Sequence, residues 1–337
     1  MCDVMPMSVL CPVCSANRAN GRVRRAWQGV ARHLVFFAVL LVCTAALAQE
    51  QTPTLTVNVN VVSLLASVHD RHGHLINNLT PDDFVLKEDG VPQHIRYFSK
   101  ETDLPLTIGL LVDTSRSQTG VLEQERTASA TFFDQILRQD KDQAFVAKFD
   151  DNVQTLQPLT SSRTLLASSL NRLSIPEDYA TLLYSAVQES SAKFMLNRPG
   201  RKALILLTDG VAYKDPVSIG SAIESAQRTD TILYSIRFSD PIQAYRPVIA
   251  AILGTMKERG KVELHRMAEE TGGASYGVTN DHNIASIYSE IEETLRNQYS
   301  IGYTPPRAAT DGKYHKIELT TKDPHLIVDA RKGYYAK

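Results

Sequence analysis

The chain has 337 residues, 43% hydrophobic and 22% charged, which exceeds one typical domain and predicts two units, or one domain with a sizeable appendage. This composition excludes a collagen-like, coiled-coil, polytopic membrane or wholly disordered chain. The formal net charge of −1 argues against a dedicated nucleic-acid binder, because such proteins gain affinity by neutralising phosphates.

The first 48 residues differ from the rest of the chain. They contain all four cysteines and the single tryptophan, and several arginines precede a short apolar run, Leu34–Leu41. The run leads to Ala46-Leu47-Ala48, which has the small-x-small pattern of a cleavage site and predicts a signal peptide over residues 1–48. An apolar run this short does not span a bilayer comfortably, although an uncleaved N-terminal anchor is the alternative. We therefore expect an exported protein that is periplasmic, attached to the cell surface or secreted.

Residues 49–102 form a predicted N-terminal β segment. Apolar and polar residues alternate from Leu55 to Val61, which is typical of a half-buried strand. The turn Glu88-Asp89-Gly90 predicts a hairpin between residues 84–87 and 94–98. The segment is therefore expected to be mostly antiparallel β-structure.

The pattern changes near Leu104, and residues 103–298 form a predicted α/β domain. A continuous apolar run at residues 106–112 is typical of a strand buried on both faces of a parallel sheet. Predicted strands then alternate with predicted helices, which indicates a doubly wound, mainly parallel sheet. The later strands are expected at residues 144–149, 203–207, 232–238 and 274–278, and the helices at residues 121–137, 162–173, 181–195, 217–227, 262–270 and 284–296.

After residue 298 the β pattern returns, with strands predicted at residues 299–303, 314–320 and 326–335. Each flanking β segment is too small for a core of its own, because an isolated hairpin is marginal in water. We therefore expect residues 49–102 and 299–337 to pair into a small β-sandwich-like unit. The α/β domain is inserted between its two halves.

Side chains with oxygen ligands follow two of the predicted parallel strands. Asp113, Ser115 and Ser117 come after the first apolar strand, and alternate residues of an extended loop project the same way. Asp209 follows a later strand, and Thr181 opens a helix after a polar loop. The carboxyl ends of the strands are where doubly wound sheets bind ligands. Oxygen ligands with only two formal charges suit a hard divalent cation, Mg²⁺ or else Mn²⁺ or Ca²⁺, better than zinc or copper.

This order, D-x-S-x-S, then Thr, then Asp in T-D-G, resembles the metal-ion-dependent adhesion site of a von Willebrand factor type A domain. The resemblance implies that Ser115, Ser117 and Thr181 ligate the ion directly or nearly so, and that Asp113 and Asp209 do so directly or through water. It also implies that a partner protein completes the coordination shell with Glu or Asp. The flanking segments resemble the exported VWFA-related acidobacterial family at Leu79–Phe84, Glu88-Asp89-Gly90 and Gly333-Tyr334-Tyr335.

The resemblance implies an exported, non-enzymatic adhesion or protein-binding module. One alternative is a metal-independent structural or assembly subunit that binds through the β-sandwich or through residues 240–260, a predicted long loop. Another is a serine hydrolase that uses Ser275 in a G-x-S-x-G sequence, although here a predicted helix precedes the serine and a strand follows it. A structural alternative for the predicted ligands is that Asp113 and its two serines only cap the next helix.

Overall fold

The computed structural model describes residues 61–100, 102–177, 180–238, 247–305 and 311–336. The predicted signal peptide and the start of the first predicted strand at Leu55 lie outside these residues. Within the described ranges, no helix combines the length and the apolar character that crossing a membrane requires.

The described chain begins with antiparallel β-structure. A single helical turn, Pro81–Asp83, begins after Thr80, whose backbone N–H and hydroxyl both donate to Asp83 Oδ2 at 2.7 and 2.8 Å. Asp89 and Gly90 both have positive φ angles, which makes a two-residue turn and pairs Glu88 with Val91. The strands of this part are β1 (Val62–His69), β2 (Phe84–Glu88), β3 (Val91–Gln93) and β4 (Tyr97–Ser99).

The predicted hairpin partner of β2 is therefore wrong. The tight turn brings Val91–Gln93 back beside β2, whereas Tyr97–Ser99 leaves this sheet and pairs with a strand from the far end of the chain. The predicted strand at 94–98 overlaps only Tyr97 and Phe98 of β4, and residues 94–96 belong to neither short strand.

Strands and helices alternate between residues 106 and 296. The short segments Arg116–Gln118 and Ser191–Met195 form a 3₁₀ turn and a π-helical turn. The strands are β5 (Leu106–Asp113), β6 (Gln143–Phe149), β7 (Val153–Thr160), β8 (Arg201–Leu207), β9 (Thr231–Arg237) and β10 (Ser275–Gly277). The helices are α1 (Leu122–Ile136), α2 (Arg163–Leu170), α3 (Leu183–Ser190), α4 (Ile219–Arg228), α5 (Pro247–Thr271) and α6 (Ile284–Arg296).

In the described part of the chain these strands form one six-stranded sheet in the order β10-β9-β8-β5-β6-β7. Neighbouring strands are parallel except β6 and β7. Alternate residues of the central strands enter two hydrophobic cores, one with α1, α2 and α6 and the other with α3, α4 and α5. The predicted doubly wound, mainly parallel α/β fold is thus confirmed.

Two elements of this domain differ from the sequence prediction. The antiparallel edge strand β7 was not predicted, because its residues are mostly half-buried and Pro158 interrupts the pattern. The region predicted as a long loop at residues 240–260 is helical from Pro247, so that α5 extends to Thr271. Gly254 and Gly260 had weakened the helical pattern there.

The flanking β segments pack together. β1 pairs with β11 (Tyr299–Tyr303), and β2 pairs with β12 (Tyr314–Thr321). The predicted strand at 326–335 is two strands, β13 (Ile327–Ala330) and β14 (Gly333–Tyr335), one in each of two four-stranded sheets. Residues from both sheets share a third hydrophobic core, as the predicted β-sandwich-like pairing requires. The boundaries of the units, at residues 49, 103 and 299, stay predictions.

The sheet brings the carboxyl ends of β5 and β8 side by side. Val112 of β5 lies opposite Leu207 of β8, so that Asp113 and Thr208 leave the sheet at the same edge. This register follows from the parallel pairing, in which every strand begins at one edge and ends at the other. Asp113 and Asp209, which follow these two strand ends, therefore lie where such sheets commonly bind ligands.

Candidate metal centre

Asp113 is fully buried at the end of β5 and accepts two hydrogen bonds. The hydroxyl of Thr208 donates to Oδ2 at 2.6 Å, and the backbone N–H of Ser115 donates to Oδ1 at 2.9 Å. Both donors are neutral, so these bonds orient the carboxyl group without balancing its charge.

Asp209 places a second carboxyl group beside Asp113. Its Oδ1 accepts the backbone N–H of Val211 at 3.1 Å, which holds the loop after β8. Burial and the nearby Asp209 carboxylate together raise the pKa of Asp113 to about 7. Among the described residues, no lysine or arginine forms a salt bridge with either carboxyl group. The pair therefore has a strong negative potential that a bound cation would relieve.

Ser115 and Ser117 lie half-buried at the same rim, and their hydroxyl oxygens are 3.1 Å apart. Gln118 Nε2 also donates to Ser117 Oγ at 3.3 Å. Ser115 precedes the short 3₁₀ turn but makes no capping hydrogen bond with its side chain. The next helix, α1, follows Val121 and has no side-chain cap. These side chains therefore do not act as caps of α1, and their oxygens face one another.

Thr181 joins the site through the backbone of its loop. It forms an isolated antiparallel bridge with Tyr213, with N–H···O distances of 2.9 and 3.1 Å in the two directions. The Thr181 hydroxyl makes no hydrogen bond with the side chains of the other four predicted ligands. The bridge nevertheless fixes Thr181 to the loop that begins at Asp209, and the side chain is largely buried there.

Further hydrogen bonds hold these loops in place. Asp215, on the loop after β8, accepts the backbone N–H groups of Tyr184 and Ser185 at the start of α3. Asp150 accepts the hydroxyl of Thr114 at 2.7 Å and receives the backbone N–H of Leu182 on its carbonyl at 2.9 Å. The three loops that hold the predicted ligands are thus bonded to one another directly or through Asp150.

Gly210 of the T-D-G motif is required for two reasons. Its backbone conformation favours glycine, and there is no room beside it for a side chain. Gly210 has a φ of +86°, and a Cβ there would lie 2.8 Å from the backbone of Gly260 in α5. Helix α5 therefore packs directly against the Asp209 loop. This contact explains why two glycines, 50 residues apart in sequence, both lack a side chain.

Glu125 is a site-adjacent residue that the sequence analysis missed. It lies on α1 and is fully buried, and neither carboxyl oxygen has a hydrogen-bond partner among the described residues. Burial, with a contribution from the Asp113 charge, raises its pKa to about 8. In the sequence it resembled an ordinary acidic residue in the first turn of a helix, and only its burial sets it apart.

The donor set fits a hard divalent cation. It offers two carboxyl groups and three hydroxyl groups, and the carboxyl groups lie close together without a cationic partner among the described side chains. Oxygen ligands of this kind are those that Mg²⁺, Mn²⁺ and Ca²⁺ prefer.

Ser275 does not have the surroundings of a hydrolase nucleophile. It begins strand β10 after the helix α5, and its hydroxyl accepts a hydrogen bond from Ser235 Oγ at 2.7 Å. A nucleophile elbow requires a strand before the serine and a helix after it, with a general base within reach of the hydroxyl.

Comparisons with known proteins agree with this fold. The family model of the von Willebrand factor type A domain matches residues 107–290, more than half of the chain. No curated protein matches the chain.

Solved structures that resemble the chain include BatB from Bacteroides thetaiotaomicron, at 16% identity and a TM-score of 0.45, covering 57% of this chain and 100% of that one. A von Willebrand factor type A protein from Catenulispora acidiphila has 12% identity and a TM-score of 0.47, covering 82% and 74%. Proximal thread matrix protein 1 from the mussel byssus, in a structure with a zinc-occupied MIDAS motif, has 14% identity and a TM-score of 0.48. That match covers 62% of this chain and 49% of the mussel protein.

Proposed function

Because the chain belongs to the von Willebrand factor type A domain family, we propose that it is an exported protein-binding module that holds a divalent cation. The proposed ligands are Asp113, Ser115, Ser117, Thr181 and Asp209, and the ion is Mg²⁺, with Mn²⁺ or Ca²⁺ as substitutes. When bound, the ion supplies an open coordination position that attracts a carboxylate of a partner protein. The module is proposed to have no catalytic activity.

The observation that carries this proposal is the pair of carboxyl groups at the end of β5 and β8. Asp113 is fully buried, and its pKa lies near 7 because of that burial and of Asp209. Burying two carboxyl groups together without a cation is costly. A divalent cation would balance this negative charge in place of the Asp113 proton, which supports the proposal that the site binds a cation.

The remaining residues orient these ligands and leave one side of the site open. Thr208 and the backbone N–H of Ser115 hold the Asp113 carboxyl group in place. Ser115 and Ser117 are only half-buried, unlike Asp113, Thr181 and Asp209, so the rim is accessible to solvent on the side of the two serines. A partner's carboxylate would therefore approach from the side of the two serines.

The test is a calorimetric titration of Mg²⁺ into EDTA-stripped protein at pH 8. We expect one binding site per chain that Asp113→Ala abolishes. Asp134→Ala is the matched control, because Asp134 is an exposed aspartate on α1 and is expected to leave binding unchanged. Binding that survives Asp113→Ala would contradict the proposed ligands.

Partner binding needs a separate measurement. A peptide library with a single Glu or Asp, immobilised and probed with the protein, is expected to retain it in Mg²⁺ and to release it in EDTA. Retention in EDTA, or equal retention of Asp113→Ala, would favour the metal-independent assembly subunit instead.

A further inference from the structure

A second cluster of metal-ligating side chains lies in the β-sandwich, outside the α/β domain. Glu88 ends β2, Asp89 begins the turn that follows it, and His315 lies on β12, which pairs with β2. One ligand atom from each of these residues lies within 4.8 Å of the other two. A third carboxylate, Asp311, approaches the opposite side of the same imidazole ring.

The histidine has the contacts of a metal ligand. Its Nδ1 lies 2.9 Å from Asp89 Oδ2 and 3.5 Å from Glu88 Oε1, while its Nε2 lies 3.2 Å from Asp311 Oδ1. Histidines that ligate a metal through one ring nitrogen almost always donate the other N–H group to a carboxylate or carbonyl oxygen. Asp311 is placed to accept that hydrogen bond, so Nδ1, which lies against Asp89 and Glu88, is the nitrogen that would ligate the metal once it gives up the proton it shares with Asp89.

Two of the three ligand separations are near those of tetrahedral coordination. Zinc bonds to nitrogen and oxygen ligands are about 2.0–2.2 Å long, which places tetrahedral ligand atoms roughly 3.3 Å apart. The separations of 2.9 and 3.5 Å lie on either side of this value. One imidazole with carboxylates is a ligand set that suits zinc and similar divalent transition metals.

Glu88 provides an independent indication of a ligand. The residue is only 7% exposed, and its Oε2 is buried without a hydrogen-bond partner among the described residues. Its Oε1 accepts the hydroxyl of Tyr334 at 3.1 Å. The Tyr303 hydroxyl is near enough to Glu88 that burial and this carboxylate together raise the pKa of Tyr303, but a carboxylate buried among neutral groups is costly. Within the described chain the salt bridges of all three carboxylates are to His315 alone. One imidazole does not balance three carboxylates, whereas a divalent cation adds the missing charge.

The surrounding backbone holds the ligands in position. Asp89 exchanges two hydrogen bonds with Lys316, from its own N–H to the carbonyl oxygen and from the Lys316 N–H to Oδ1, both 2.9 Å long. The imidazole ring of His315 stacks on Tyr334, with ring centroids 5.4 Å apart. The ligands thus lie on paired strands and a tight turn, as a preorganised metal site requires.

We propose that Glu88, Asp89 and His315 bind a divalent transition metal, with Zn²⁺ as the expected ion and Asp311 as the carboxylate that orients His315. The site joins the N-terminal β segment to the C-terminal one, since His315 and Asp89 lie 226 residues apart in sequence. Metal bound there stabilises the sandwich, because it binds the folded pairing of these strands and not the separated chain. This site is independent of the one at Asp113.

The test is a calorimetric titration of Zn²⁺ at pH 8. Every sample carries Asp113→Ala, so that failure here leaves the proposal for the α/β domain untouched. The thiols of the N-terminal cysteines are alkylated beforehand, because thiolates bind zinc strongly. We expect one Zn²⁺ per chain and a higher melting temperature in its presence.

The variants identify the ligands. His315→Gln is expected to weaken zinc binding at least about 100-fold and Asp311→Asn about 10-fold, the range seen when a partner of a metal-bound histidine is removed. Asp89→Asn serves if His315→Gln fails to fold, since asparagine tolerates the positive φ at this position and retains the Oδ1 acceptor for Lys316. It is also expected to weaken binding at least about 10-fold.

His325→Gln is the matched control, because His325 is an exposed histidine of the same β-sandwich and lies outside the cluster. It is expected to bind zinc as the parent does. Two results would overturn the proposal: no zinc binding at roughly 100 µM metal, far above the dissociation constants of structural zinc sites, or equal binding in parent, Asp89→Asn and His315→Gln. In either case the cluster is an ion pair of a protonated histidine with carboxylates.

Discussion

Two aspartates at opposite edges of the central sheet are equally buried and have opposite electrostatics. Asp142 lies at the amino end of β6, where it accepts hydrogen bonds from the guanidinium groups of Arg138 and Arg296 and from the backbone N–H of Leu106. Although burial opposes ionisation, the hydrogen bonds from the two arginines hold the pKa of Asp142 well below its usual range. Asp113, at the carboxyl end of β5, has only neutral donors, and its pKa rises to about 7.

The difference separates a structural carboxylate from a candidate ligand. Asp142 is balanced within the fold, so its charge stabilises the native state. Asp113 lies beside another carboxyl group, so its charge is balanced only by a proton or by a bound cation. Burial alone therefore does not distinguish the two roles. The hydrogen-bonding and charged partners of each carboxyl group distinguish them.

The largest expected effect comes from removing the Asp142 carboxylate, whose charge two arginines balance. Asp142→Ala leaves the Arg138 and Arg296 guanidinium groups without their shared carboxylate and is expected to lower the free energy of unfolding by about 3–5 kcal/mol. Urea denaturation at pH 7 measures this loss in the free energy of unfolding. Asp140→Ala, an exposed aspartate two residues earlier, is the control and is expected to change stability by less than about 0.5 kcal/mol. A loss below about 1 kcal/mol for Asp142→Ala would mean that the arginines find other partners.

The second test adds a divalent cation to the site at Asp113, where the carboxyl groups have no cationic partner among the described residues. Mg²⁺ at a hundredfold excess over its dissociation constant is expected to raise the free energy of unfolding by about 2.7 kcal/mol. The same excess is expected to leave Asp113→Ala unchanged and to stabilise Asp142→Ala as much as the parent. Thermal denaturation with and without EDTA measures all three. Equal stabilisation of Asp113→Ala would place the bound Mg²⁺ elsewhere.

The third test uses pH without metal. Glu125 has a raised pKa of about 8 in the fold against 4.5 in the unfolded chain, so the unfolded state loses its proton first and stability falls as pH rises between these values. Asp142 has a lowered pKa, so its contribution is complete above 3.8 and is lost as pH falls further. Glu125→Gln is therefore expected to exceed the parent in stability by about 4 kcal/mol at pH 8 and to match it at pH 4.

Denaturation curves recorded in EDTA between pH 4 and pH 8 measure this difference in stability between Glu125→Gln and the parent. Equal pH dependence of Glu125→Gln and the parent would show that Glu125 ionises freely. Glu123→Gln is the matched control, because Glu123 lies on the same helix with its side chain mostly exposed.

The smallest expected effect comes from a helix cap remote from Asp113 and Asp142, and it is a reference for the larger effects. Asn283 caps α6 by accepting the backbone N–H of Ser286 at 3.0 Å. Asn283→Ala is expected to cost about 1 kcal/mol, measured by the same denaturation, with equal loss in EDTA and in Mg²⁺. A loss that depended on Mg²⁺ would mean that helix ends remote from the site respond to the cation, and the second test would then lose its specificity.

Much of the fold could be predicted from local pattern. The α6 boundaries at Ile284 and Arg296 agree with the prediction, because the apolar spacing and the Asn283 cap both lie within the helix or beside it. The buried strand β5 was found from its continuous apolar run. The edge strand β7 and the amino half of α5 were missed, because exposed residues, a proline and two glycines obscure their periodicity.

Some residues of the candidate site could likewise be predicted from the sequence, and others could not. The D-x-S-x-S and T-D-G motifs were visible because each lies within a few residues of the end of one strand. Glu125 was not, because its burial depends on how α1 packs against the sheet. The cluster around His315 was not visible either, since its members come from the two ends of the described chain.

Local sequence pattern predicts most of the strands and helices, the family resemblance and the residues at the ends of the central strands, because these depend on interactions between near neighbours. Which carboxyl groups have partners depends on contacts that form only in the folded chain. Arg296 lies 154 residues from Asp142, and the Glu125 carboxyl is isolated by packing that no local pattern encodes. The physical reason is that the charge state of a buried group depends on everything within a few ångströms, and long-range contacts bring those neighbours together.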